Sequence, residues 1–138
     1  MGRPVNRPAV RTLRMNVTRQ TIFVVDDDDS VRRALRRLLL VLGLNVETFA
    51  TAEEFLQVRT PPEPGCLLLD VNLPGLSGLE LQEQLKSEGR QVPLIFITAY
   101  ADDRARDRSL QAGAIAFLEK PVEEQALRNA IGRALAQN

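Results

Sequence analysis

From residue 21 onward, short and fully apolar runs alternate with longer stretches in which apolar residues return every three or four positions. The first run, TIFVV at 21–25, is β-branched and aromatic and reads as a strand; it stops at four consecutive aspartates, residues 26–29. Val31, Ala34, Leu35, Leu38, Leu39 and Leu42 then keep helical spacing, and Gly43 supplies a left-handed stop. Residues 46–49 read as a second strand. Thr51 and Glu54 have capping-box spacing and open a short helix through 58, which TPPEPG breaks. CLLL at 66–69 is a third strand ending at Asp70, and NLPGLSG is a loop. Ser77 with Glu80 repeats the capping box and starts a helix to residue 88, closed by Gly89. LIFIT at 94–98 is a fourth strand, and 102–112 a polar helix closed by Gly113. Residues 114–118 form a fifth strand. Residues 123–137 form the last helix, with Leu127, Ala130, Ile131, Ala134 and Leu135 on its apolar face.

Strands that are apolar throughout belong to a sheet covered on both faces, hence to parallel strands joined by right-handed helical crossovers. The pattern predicts a doubly wound α/β domain with five strands in the order 2-1-3-4-5 and five helices, a flavodoxin-like architecture. Such sheets bind ligands beyond the carboxyl ends of their strands, at the switch point.

The residues at those ends carry chemistry. Strand one ends in Asp26 and Asp27, strand three in Asp70, strand four in Thr98, and strand five just before Lys120. Two carboxylates 4 Å apart repel by roughly 4 kcal/mol at an effective dielectric near 20. A third makes matters worse unless a proton or a cation relieves them. An all-oxygen cluster selects a hard ion, Mg²⁺ or, in its place, Mn²⁺. Asp28 and Asp29 fall past the strand end, where negative charge complements the dipole of the first helix; Asp29 also stands four residues before Arg33.

Composition narrows the picture. The 138 residues suit one domain, and the absence of histidine excludes a histidine-ligated metal and a histidine general base. The single cysteine, Cys66, excludes an internal disulfide and suits a reducing compartment, so the chain is expected in the cytoplasm and away from membranes. The zero net charge hides an asymmetry: residues 1–20 hold five arginines and no acid, and the rest 13 basic and 18 acidic residues. The leader is expected to be a basic, disordered extension; Met15 could equally begin the domain at 21–138.

VVDDD, LLLDVNLPGLSG, ITAY and FLEKP, in that order, resemble the receiver domain of bacterial two-component response regulators, the CheY-like fold. The resemblance spans about residues 21–137. It implies that Asp70 accepts a phosphoryl group from a phosphohistidine on a sensor histidine kinase or histidine phosphotransfer protein. It also implies that Asp27 and Asp70 bind Mg²⁺ directly, Asp26 through water, and Asn72 through its backbone carbonyl. Lys120 and Thr98 would contact phosphoryl oxygens, Phe117 would occupy the aromatic switch position, and Pro121 would follow a cis peptide bond. Phosphoryl transfer asks for in-line positioning and neutralised charge, which this set supplies. ATAEEFL and FLEKP are similar to receivers that precede DNA-binding domains, so output on transcription is expected through a linked or partner effector rather than through DNA binding by this domain.

Asn72 and Tyr100 lie two residues beyond Asp70 and Thr98, and are expected to flank the path of a hydrolytic water and tune the phosphoryl lifetime. Arg32, Arg33, Arg36 and Arg37 read as a solvated face of the first helix or as a kinase-docking face. The fourth helix, DDRARDRSLQ, offers little beyond Ala105 and Leu110 to a core; Arg104, Arg106, Asp107 and Arg108 are candidate contacts for a phosphorylation-dependent homodimer.

Three other readings compete. A phosphohydrolase of haloacid-dehalogenase type also uses a strand-end aspartate and Mg²⁺, but needs a second aspartate two residues on as acid/base, where this chain has the amide Asn72. A phosphorylation-independent pseudo-receiver would be expected to lack an active-site residue. Flavodoxin-like cofactor binding would want hydroxyls and glycines after strand one rather than aspartates.

Overall fold

The computed structural model describes residues 21–58, 64–100 and 102–136. The basic extension expected at 1–20, the first part of TPPEPG, and Gln137 lie outside the described residues. Among the described residues five strands alternate with five helices: β1 (Thr21–Val25), α1 (Asp29–Val41), β2 (Asn45–Phe49), α2 (Ala52–Leu56), β3 (Pro64–Asp70), α3 (Gly78–Ser87), β4 (Leu94–Thr98), α4 (Asp103–Gln111), β5 (Ala116–Glu119) and α5 (Glu124–Leu135). All strand pairs are parallel, in the order β2-β1-β3-β4-β5, the 2-1-3-4-5 order expected from the apolar runs.

Alternation along the strands divides the core into two layers. Ile22, Val24, Cys66, Leu68, Ile95 and Ile97 face α1 and α5, where Leu35, Leu39, Leu127 and Ile131 close the layer. Phe23, Val25, Leu67, Leu69 and Phe96 face the opposite way, onto Phe55 of α2 and Leu81 and Leu85 of α3. No helix among the described residues is long and apolar enough to cross a membrane.

Element ends differ from the sequence reading by one or two residues, for local reasons. β5 starts at Ala116 rather than 114, because the Ala114 amide closes α4 on Ser109 and the Ile115 amide bonds Leu94. Gln57 is the C-cap of α2, and Glu123 caps α5. Both expected cap pairs are present. Thr51 Oγ1 accepts from the Glu54 amide, and Ser77 with Glu80 forms a complete capping box. Gly43, Gly89 and Gly113 adopt the left-handed conformation expected of them.

Helix α4 overturns one expectation. Leu110 is 38% exposed, and Ser109 is the buried residue of this helix. Polar contacts hold it instead: Gln82 Nε2 of α3 donates to the Ser109 carbonyl at 3.0 Å, and Arg108 pairs with Glu83 at 2.9 Å.

Candidate functional site

The carboxyl ends of β1, β3, β4 and β5 meet at one rim. Asp26, the first residue past β1, is fully buried, and Asp27 beside it is exposed to the cleft above. Asp70 ends β3 at 5% exposure, and Thr98 ends β4 fully buried. One oxygen from each of Asp26, Asp27 and Asp70 lies within 4.8 Å of the others. A cleft of about 360 Å³ opens over them, lined among others by Asp27, Asp70, Asn72, Tyr100 and Lys120.

Lys120 ties this cluster together. Its backbone amide donates to the Thr98 carbonyl at 2.7 Å, which sets the side chain over the rim. Its Nζ donates to Asp70 Oδ2 at 3.0 Å and stands 2.7 Å from Asp26 Oδ2. Burial alone would push the lysine pKa down, but the contacts to Asp26 and Asp70 outweigh it and hold the ammonium above its ordinary value. Asp70 moves upward as well. Its burial outweighs the opposing pull of the Asn72 amide and Lys120, and the charge of Asp26 adds to the rise. The Lys120–Pro121 peptide bond is cis, as the resemblance implied.

Three carboxylates against one ammonium leave an excess of negative charge. Lys120 approaches Asp26 Oδ2 to 2.7 Å as an ion pair, the contact that satisfies this buried oxygen. An oxygen-only cluster with Asp27 and Asp70 lining an open cleft fits a small hard cation.

The neighbouring groups are ordered around the same point. The Asn72 amide donates to Asp70 Oδ1 at 3.0 Å. Thr98 Oγ1 accepts from Asn72 Nδ2 at 3.3 Å and from the Tyr100 amide at 3.2 Å. Tyr100 is 78% exposed at the cleft mouth. Phe117 is half-buried on β5, its ring 6.1 Å from that of Phe96. Arg104, Arg106, Asp107 and Arg108 are exposed on α4.

At the head of α1, Asp28 is the N-cap, accepting from the amides of Ser30 and Val31. Its carboxyl is held below the usual range by the Ser30 hydroxyl first and those two amides next. Asp29 pairs with Arg33 at 2.9 Å, the spacing read from the sequence. Two arginines of the expected solvated face are engaged differently. Arg32 donates to the Asp26 carbonyl at 2.6 Å and Arg36 to the Val46 carbonyl at 3.3 Å.

The sequence reading passed over two further positions. Gly78 lets α3 start directly against the end of β3, since a Cβ there would run into the Asp70 carbonyl oxygen and lie 2.9 Å from Val71 Cα. Glu53 of α2 accepts from the Leu76 amide at 3.0 Å and so fastens the loop after Asp70, beside Gly75 at φ +73°. The SG pair after NLPGL was a legible signal for Gly78; nothing local announces Glu53.

Comparisons with known proteins bear on the family and the fold. Residues 22–132 match the family model described as the response regulator receiver domain. The chain is 42% identical over 118 residues to the transcriptional regulatory protein TdiR of Thauera aromatica, covering 86% of this chain and 52% of that protein. It is 44% identical to nodulation protein W of Bradyrhizobium diazoefficiens, covering 83% of this chain and 50% of that one. Among solved structures, the response regulator StyR superposes with a TM-score of 0.81 at 53% identity, over 86% of this chain and 60% of that chain. FixJ-N superposes with a TM-score of 0.77 at 34% identity, over 86% and 95%. The chain thus spans about half the length of the curated relatives it matches. With its five-stranded parallel sheet and the acid cluster at the strand ends, the chain belongs to the response regulator receiver domain family.

Proposed function

We propose that Asp70 is the phosphoacceptor of a two-component pathway. A carboxylate oxygen of Asp70 attacks the phosphorus of a phosphohistidine on a sensor kinase or phosphotransfer protein. The new O–P bond forms as the P–N bond breaks, and the imidazole leaves with that electron pair and takes up a proton. The observation that carries the reading is Lys120 Nζ at 3.0 Å from Asp70, inside a cluster of three carboxylates.

Asp26, Asp27, Asp70 and the Asn72 carbonyl would hold Mg²⁺, or Mn²⁺ in its place. The ion supplies positive charge against the incoming phosphoryl oxygens. Lys120 neutralises one of those oxygens, and Thr98, freed from its contact with Asn72, donates to another. Phe117, half-buried beside Phe96 of β4, turns inward when Thr98 moves, and the α4–β5–α5 surface changes with it. Arg104, Arg106, Asp107 and Arg108 are then placed for contact with a second copy or an effector that controls transcription.

The chain in this reading catalyses only its own phosphorylation and dephosphorylation, in the cytoplasm. The amide at Asn72 disfavours the haloacid-dehalogenase reading, since it cannot serve as the proton-transferring partner. Incubation with acetyl phosphate and Mg²⁺ tests the proposal. Wild type is expected to gain one phosphoryl group by mass at Asp70, and Asp70→Asn none. Label at another residue, turnover of a small phosphate ester, or no label with a competent donor would overturn it.

A further inference from the structure

We infer that Arg32 is a positioning residue for the acid pair: it fixes the backbone turn carrying Asp26 and Asp27 so that the cation site is assembled before a cation arrives. The inference rests on the proposed metal-assisted reading and assigns a residue to it.

The argument starts from the backbone of Asp26. Ladder pairing of β1 ends at Val25, so the Asp26 carbonyl lies past the sheet and must find its own donor. Arg32 Nη1 supplies it at 2.6 Å, while Nη2 reaches Asp29 Oδ1 at 3.1 Å. The other polar atoms of Asp26 are tied down too. Its amide donates to Phe49 at 3.1 Å, and Oδ1 accepts from the Asp28 amide at 2.9 Å. That leaves Oδ2, which faces Lys120 and the cluster. Every polar atom of Asp26 thus has a partner, Oδ2 in the Lys120 ion pair, and Arg32 provides the only side-chain grip on its main chain among the described residues.

The position of Arg32 makes sense only through such a contact. Asp28 caps α1, so Arg32 sits in the second turn, where side chains lean toward the helix N-terminus. A cation near that terminus opposes the helix dipole. Its side chain is also 18% exposed, against 70% for Arg33, which pairs with Asp29 at the surface. The guanidinium is held there by two bonds, to the Asp26 carbonyl and to the Asp29 carboxylate. Its charge works against cation binding, so charge and positioning predict opposite effects of its removal.

The test uses the full chain as wild type, Arg32→Met, which keeps length without charge or donors, and Arg32→Lys. Mg²⁺ is titrated with no phosphodonor present and followed by amide NMR shifts around Asp27 and Asn72. Phosphorylation by acetyl phosphate is then measured against Mg²⁺ concentration. Arg32→Met is expected to raise the half-saturating Mg²⁺ concentration about 10-fold, the usual cost of losing a group that orients a metal ligand. The rate at saturating Mg²⁺ should fall less, and Arg32→Lys should lie between. Mg²⁺ binding by Arg32→Met that is equal to wild type, or tighter, overturns the inference in favour of a charge-only or structural role. Should Arg32→Met fail to fold, Arg32→Lys decides: weaker Mg²⁺ binding supports the inference and unchanged binding ends it. A wild type that binds Mg²⁺ but takes no phosphoryl group at Asp70 would sink the proposed function while leaving the role of Arg32 standing.

Discussion

Lys120 and Asp70 are separated by 50 residues of sequence and 3.0 Å of space, and the same ammonium stands 2.7 Å from Asp26. One cation therefore serves two buried anions. Lys120→Met strips both of their partner. The expected cost to folding is at most about 3–5 kcal/mol, the range for removing one member of a buried pair, and lower here because the rim opens to water. Phosphorylation by acetyl phosphate should slow by about 10²–10³, as for loss of one preorganised donor at a transition state. Urea unfolding and phosphoryl incorporation measured on the same samples check both halves.

Gly78→Ala tests how closely α3 must approach β3. The added methyl meets backbone at Asp70 and Val71, which cannot rotate aside as a side chain would. A destabilisation of about 1–3 kcal/mol is expected. The displaced Asp70 should also be phosphorylated more slowly at a temperature where the variant remains folded. A variant as stable and as fast as wild type would contradict the geometry.

Cys66 gives a pH dependence with a definite sign. Burial pushes its thiol from an ordinary 9.0 up to about 12. Between those values the unfolded chain ionises its thiol and the folded chain does not. The contribution is therefore whole below pH 9 and is lost as pH rises toward 12, by about 1.4 kcal/mol per unit. Unfolding free energies of wild type and Cys66→Ala, compared from pH 8 to 11, should converge or cross by that slope. Thiol reagents should label the protein only as fast as it unfolds.

Tyr100 stands at the mouth of the cleft, 78% exposed, with its amide bonded to Thr98. As a shield over an acyl phosphate at Asp70 it should slow attack by water. Tyr100→Ala is expected to lose its phosphoryl group several-fold faster than wild type, followed by the decay of label after the donor is removed. Decay no faster than wild type removes that role.

Much of this was legible in the sequence because buried parallel strands are apolar along their whole length. Their ends are therefore marked where the apolar run stops, and Asp26, Asp70, Thr98 and Lys120 lie at or just past those ends. Ser77 and Glu80 announced α3 because a capping box is a local arrangement. Arg32 was hidden: in a helical wheel it belongs with its solvated neighbours, and only the end of the β1 ladder creates the carbonyl it serves. Leu110 misled for the opposite reason. With so few apolar residues in α4 there was no periodicity to assign a face, and the inward place went to Ser109.

That choice matters for how the domain can move. Gln82 and Arg108 secure α4 through polar contacts where aliphatic side chains would ordinarily contribute more. Water can replace an amide–carbonyl bond and an exposed ion pair at modest cost. Contacts of this kind resist displacement of the helix less than an apolar face would. A single covalent event at a neighbouring strand end needs to supply only a few kilocalories per mole to redraw this face of the molecule.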